Sequence, residues 1–97
     1  METCNLVVKY DVEHGKREAF LNEVIESGIL DIIHGENGCV SYEYYRSVSN
    51  PDQLVLLETW ASEDAQKIHM QQPHIAEFFK LKEKYKVVTD LKKASYK

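Results

Sequence analysis

The chain lacks most of what marks a membrane, secreted or metal-scaffold protein. No apolar run approaches the roughly 18 residues that a membrane-spanning helix requires. The opening residues Met1-Glu2-Thr3-Cys4 carry neither a basic stretch nor a long apolar one, so no secretory signal is read there and a cytoplasmic location is expected. Two cysteines, Cys4 and Cys39, are too few for a disulfide framework and lack metal-type spacing. Each lies at the edge of a strand-like run, where cysteine acts as a small apolar residue. Positive charge is scarce over most of the chain. Up to Phe79 there are 5 Lys and Arg residues against 14 Asp and Glu. With no stacking or docking motif, that balance argues against a nucleic-acid partner. From Lys80 onward the count reverses to 7 against 2. Lys80, Lys82, Lys84 and Lys86 are read as a solvated helix end favoured by the helix dipole; the alternative is a patch that attracts an anionic substrate.

With 97 residues there is room for one core, so a single domain over residues 1–97 is expected. Leu6, Val8, Tyr10 and Val12 alternate with Val7, Lys9 and Asp11, the pattern of a half-buried strand. After His14-Gly15 an amphipathic helix begins at Lys16, with Phe20, Leu21, Val24 and Ile25 on one stripe. Gly28 is a kink, Ile29 to Ile33 a further helical turn, and Gly35-Glu36-Asn37-Gly38 has turn chemistry. Residues 39–46 form a second strand rich in β-formers, and Ser49-Asn50-Pro51-Asp52 turns it into a third over residues 53–60. Ser62 is placed to cap a second helix, with Glu63 and Asp64 in its first turn. Pro73 ends or kinks that helix, which resumes from His74 to Leu81 with Ile75, Phe78 and Phe79 inward. Val87, Val88 and Leu91 suggest a last strand.

The order β-α-β-β-α-β predicts a ferredoxin-like α+β domain, an antiparallel sheet with its helices on one face. Leu54, Val55, Leu56 and Leu57 are apolar on both faces of the third strand. The face away from the helices then needs its own cover, and a second copy of the sheet would supply it, so a homodimer is expected.

Chemistry concentrates between the third strand and the broken helix. Glu58-Thr59-Trp60, then His69, then Pro73-His74 bring together a carboxylate, an indole and two imidazoles, groups that can hold and deprotonate a small organic molecule. His69 and His74 are five residues apart across a break, unlike the i, i+4 pair that presents two metal ligands on one helical face, so no metal is assigned to them.

These residues resemble the antibiotic biosynthesis monooxygenase family of dimeric α/β-barrel proteins. The likeness rests on Glu36-Asn37-Gly38-Cys39 leading into the second strand, on Glu58-x-Trp60, and on His69-x-x-x-Pro73-His74, and it covers essentially the whole chain. It implies the fold, and beyond the fold several chemistries. Quinol monooxygenases of this kind oxidise hydroquinones or polyphenols with molecular oxygen and without metal or flavin. A second group shares the His-x-x-x-Pro-His segment and isomerises a phosphorylated autoinducer ketone. A third degrades heme, with an axial histidine where this chain carries Phe78-Phe79, a departure that counts against heme.

The leading expectation is therefore a cofactor-independent monooxygenase acting on a hydroquinone or phenolic small molecule. Its alternatives are an isomerase of a small phosphorylated carbonyl compound and a non-catalytic module that binds a small metabolite. His69 is the expected general base, its imidazole titrating near neutral pH; the other reading is a core histidine. Glu58 either orients His69 or pairs with Lys9 or Arg46 across strands. Trp60 either donates its indole N–H to the substrate oxygen or anchors the core. In the family an Asn near the position of Asn5 helps hold the substrate oxygen; otherwise Asn5 is a strand-edge residue. His74, Tyr42, Tyr44, Phe78 and Phe79 are the remaining candidates for the substrate pocket, with packing as the alternative role of each.

Overall fold

The computed structural model describes residues 2–94. Strand β1 (Cys4–Asp11) buries Cys4, Leu6, Val8 and Tyr10 on one face, as the alternation requires. Helix α1 (Arg17–Glu26) and the short α2 (Ile29–His34) form the first helical arm, divided at Gly28. Gly28 lies at φ +78°, a left-handed conformation open to glycine at little cost. Strands β2 (Cys39–Arg46) and β3 (Gln53–Trp60) form a hairpin. The second arm is α3 (Glu63–Met70), capped by Ser62 accepting from the Ala65 amide, and α4 (Pro73–Lys84), which starts on Pro73. Proline suits a first helical turn because the N–H it lacks would have no partner there. Strand β4 (Val88–Lys93) follows.

All pairings are antiparallel, in the order β2-β3-β1-β4, the ferredoxin-like α+β arrangement. The register sets Leu6 opposite Glu58, Tyr42 opposite Glu58 and Val8 opposite Leu91, so these side chains share one face. Both helical arms pack on it. Phe20, Val24 and Ile33 from the first arm and Ile75 and Phe78 from the second enclose Leu54, Leu56 and Trp60 in the core.

Three sequence expectations change. Ile25 is exposed, because the inward stripe of α1 is Phe20, Leu21 and Val24, and Ile25 lies just past its edge. Phe79 is 43% exposed, since on α4 only Ile75, Phe78 and Lys82 are buried. Lys82 is expected in a solvated helix end, yet it is 9% exposed. On the opposite face of the sheet Val7, Val55 and Leu57 are half-buried and Tyr45 is exposed. Every residue of β4 is exposed.

Candidate functional site

The turn between α2 and β2 presents Glu36 to the second helical arm. That approach is close: a Cβ on Gly38 would lie 2.6 Å from the Ala65 Cβ on α3, and Gly38 has φ +88°. Only glycine satisfies both conditions, so Gly38 lets the turn lie against the helix that carries His69. The Gly38 carbonyl also accepts from the Ala61 amide at 2.7 Å, fixing the turn to the end of β3.

One carboxylate oxygen of Glu36 lies 2.8 Å from His69 Nδ1 and 2.9 Å from His74 Nε2. An ionised carboxylate only accepts, so both ring nitrogens donate to it. A neutral His69 holding its proton on Nδ1 leaves Nε2 as a lone-pair base. The ring is further fixed by Trp60, stacked at a centroid distance of 4.4 Å, and flanked by Tyr42 at 5.9 Å. Among the described residues Nε2 of His69 has no hydrogen-bond partner.

His69 lines a cavity of about 270 Å³ between the sheet and the second arm. Its walls include Val8, Tyr10, Tyr42, Ile75, Phe78 and Phe79, with Thr89 and Leu91 contributed by β4. Two charged side chains join this largely apolar lining, Glu58 and Lys82. Glu58 accepts the Trp60 indole N–H at 2.9 Å, and its burial pushes the carboxyl above the usual range. Burial pulls the Lys82 ammonium below its ordinary value, with the Glu58 charge opposing. The hydroxyls of Tyr10, Tyr42 and Tyr44 are pushed well above the tyrosine range, chiefly by burial, and stay protonated. His74 faces a neighbouring cavity of about 240 Å³ with Ile29, Ile32 and Leu81.

Residues 4–81 match the antibiotic biosynthesis monooxygenase family. The chain belongs to this family. It is 31% identical over 67 residues to the provisionally named monooxygenase YcnE of Bacillus subtilis, covering 69% of this chain and 68% of YcnE. It is 28% identical over 74 residues to the uncharacterized protein sll1783 of Synechocystis sp., covering 76% of this chain. The match spans only about half of that second relative, 46% of its length. Among solved structures, SnoaB of Streptomyces nogalater, a cofactor-independent oxygenase, superposes with a TM-score of 0.82 at 15% identity, over 100% of this chain and 95% of SnoaB. A conserved protein of Methanosarcina mazei superposes with a TM-score of 0.78 at 26% identity, over 98% of this chain and 95% of that one.

In this monooxygenase-family chain the structure gathers some of the anticipated residues and separates others. His69, Glu58, Tyr42, Phe78 and Phe79 line one cavity. Glu58 is bonded to Trp60, and the carboxylate that holds His69 is Glu36. Trp60 is fully buried with its N–H committed to Glu58, so it braces the site from behind and has no donor left for a substrate. Tyr44 packs against Tyr10 and Tyr42 behind the cavity wall, its hydroxyl without a partner among the described residues. Asn5 alternates with the inward Cys4 and Leu6, and so falls on the sheet face away from the cavity, where it bonds Thr59 and Thr3. Burial and nearby carboxylates raise both thiols, at Cys4 and Cys39, which disfavours the reactive thiolate.

Glu36 and Lys82 stand outside the expected site residues, although Glu36 belongs to the segment that carries the resemblance and Lys82 to the lysines with an anion-attracting patch as their alternative. Glu36 is a lone acid in a turn, and no periodicity links it to a helix that begins 27 residues later. Lys82 did leave a signal: Ile75, Phe78, Lys82 and Tyr85 recur at helical spacing, and all four are buried. Glu36, His69 and His74 also offer three donor atoms within 4.8 Å of one another, a set able to accept a divalent cation if both ring nitrogens gave up the protons they donate to the carboxylate.

Proposed function

We propose that the protein is a cofactor-independent oxygenase of a hydroquinone or phenolic small molecule, with His69 as general base. The observation that carries this reading is the Glu36–His69 contact. A carboxylate holds Nδ1 at 2.8 Å while the ring borders a largely apolar cavity. Nε2 takes the proton of a phenolic hydroxyl, and the phenolate formed is electron-rich enough to reduce oxygen. One oxygen atom enters the product as a quinone carbonyl and the other leaves as water. The substrate itself supplies the electrons, so no further reductant is needed. Glu58, with one oxygen on Trp60, accepts from a second hydroxyl of the ring. Family membership and the provisional naming of YcnE agree with this class of reaction.

Oxygen uptake by metal-free protein across a panel of reduced quinols tests the reading, with His69→Ala beside it to subtract autoxidation. Saturable uptake is expected in the wild type and a fall of about 10²–10⁴-fold in the variant. Equal traces would remove His69 from its role. Lys82 on the cavity wall favours a second reading, an isomerase of a phosphorylated carbonyl compound, with the same base moving a proton α to the carbonyl. Turnover that continues without oxygen distinguishes it.

The protein is further proposed to work as a homodimer. Val7, Val55 and Leu57 form a half-buried stripe on the face that neither arm covers. A second sheet about 10 Å away would complete their burial. Sedimentation should give a dimer for the wild type and a shift towards monomer for Leu57→Lys; a wild-type monomer at high micromolar concentration would contradict it.

A further inference from the structure

Four of the lysines near the C-terminus reach carboxylates at the surface: Lys80 meets Glu77, Lys84 meets Glu23, Lys86 meets Glu13 and Lys93 meets Glu63. Lys82, on the same helix as Lys80 and Lys84, points the other way. It is 9% exposed, and among the described residues no carboxylate lies within 4.0 Å of its ammonium. Its neighbours are rings, with the Tyr10 centroid at 4.6 Å, Phe79 at 5.2 Å and Phe78 at 5.9 Å. Ring faces attract a cation but leave it without a hydrogen-bond acceptor. A buried ammonium is costly unless paired, and the vacant side of this one is the cavity that His69 and Glu58 also line.

We propose that Lys82 is the anion-binding residue of this cavity, and that the natural ligand is a small aromatic acid whose carboxylate pairs with Lys82 while its ring hydroxyls meet His69 and Glu58, one each. This deepens the phenolic reading of the site and rests on it. The aromatic walls suit a ring, and the volume of about 270 Å³ falls just below the range of about 300–1,000 Å³ typical of drug-sized ligands, which favours a small molecule. Among the described residues Glu58 is the one acid in the lining, so an anion at Lys82 requires the opposite end of the ligand to be a donor. A hydroxy acid has that polarity, whereas a neutral quinol leaves Lys82 unpaired and a dianionic phosphate finds a single cation.

Calorimetric binding of 4-hydroxybenzoate and its neutral isostere 4-hydroxybenzamide tests this without turnover. The wild type should prefer the acid by about tenfold or more, as a charge-assisted hydrogen bond predicts. Lys82→Met should erase the preference while binding the amide within about threefold of wild type, and Lys82→Arg should keep a preference. Equal affinity of the wild type for both probes, binding of neither, or parallel loss of both in Lys82→Met would overturn the assignment. A lysine-dependent preference with no oxygen uptake on dihydroxybenzoates would sustain Lys82's role and remove the oxygenase reading instead.

Discussion

Glu36 holds both His69 and His74 within 2.9 Å, whereas Glu58 and Lys82, buried on the wall of one cavity, stay more than 4.0 Å apart. Both groups place charge where water is scarce, yet only in the first are the members bonded to one another; Glu58 is held by Trp60 and Lys82 has no acceptor among the described residues. A satisfied polar cluster gives a fixed geometry, the property needed of a base whose nitrogen must face a substrate. An unsatisfied pair holds interaction free energy in reserve until a ligand arrives. On the proposed reading, the first group sets the chemistry and the second selects what enters.

Breaking the first cluster should have the largest effect. Glu36→Gln keeps the size of the side chain but removes the charge that holds two imidazoles. We expect kcat for quinol oxidation to fall about 10–100-fold, the scale of losing an orienting partner, with stability lower by about 1–3 kcal/mol for the imperfectly paired groups. Unchanged kinetics in stopped-flow oxygen uptake would show that the Glu36 contact does not support catalysis.

Gly38→Ala attacks the same cluster from its backbone. The new methyl would meet the Ala65 Cβ at 2.6 Å, at a φ of +88° that alanine resists. A loss on the order of 2 kcal/mol is expected in urea unfolding. Adding Ala65→Gly should return the part due to the clash and leave the part due to φ. Full recovery would mean that the close approach alone requires glycine there.

The unsatisfied pair should respond in the opposite direction. Lys82→Met removes a buried ammonium, so the ligand-free variant should unfold at a slightly higher urea midpoint at pH 7. Because the folded protein lowers the Lys82 pKa, stability tied to its neutral form is present above the ordinary value of 10.5 and lost as pH falls through the lowered one. Below the lowered value the wild type therefore carries the whole penalty. The gain in Lys82→Met should shrink as pH rises from the lowered value towards 10.5. A gain that grows with pH would contradict this account of Lys82.

Much of the fold was legible because its periods are regular. The alternation of Leu6, Val8 and Tyr10, the break at Gly28, the Ser62 cap and the helix break at Pro73 are all local signals, and the elements lie close to where these signals put them, although α4 begins on Pro73 itself and runs on to Lys84. The site was legible only in part. His69 and Glu58 share a cavity because strand pairing and helix packing bring them there, and the type of each residue hinted at chemistry. Glu36 was hidden, since its partner lies 33 residues away and depends on how closely Gly38 lets a turn approach a helix. Asn5 is a simpler case: its place in the alternation of β1 puts it on the face away from this cavity. Lys82 differs from the other lysines of its stretch only by its place on the buried stripe of α4, which charge alone does not show.

The arrangement around His69 can be tested before any substrate is known. Long-range ¹H–¹⁵N correlation spectra of the protein, with His69→Gln for assignment, report which ring nitrogen carries the proton. A neutral His69 protonated on Nδ1 with a bare Nε2, shifting towards a mixture of tautomers in Glu36→Gln, is the result this account predicts. A His69 protonated on Nε2 in the wild type would contradict it, because no lone pair would then be available to the cavity.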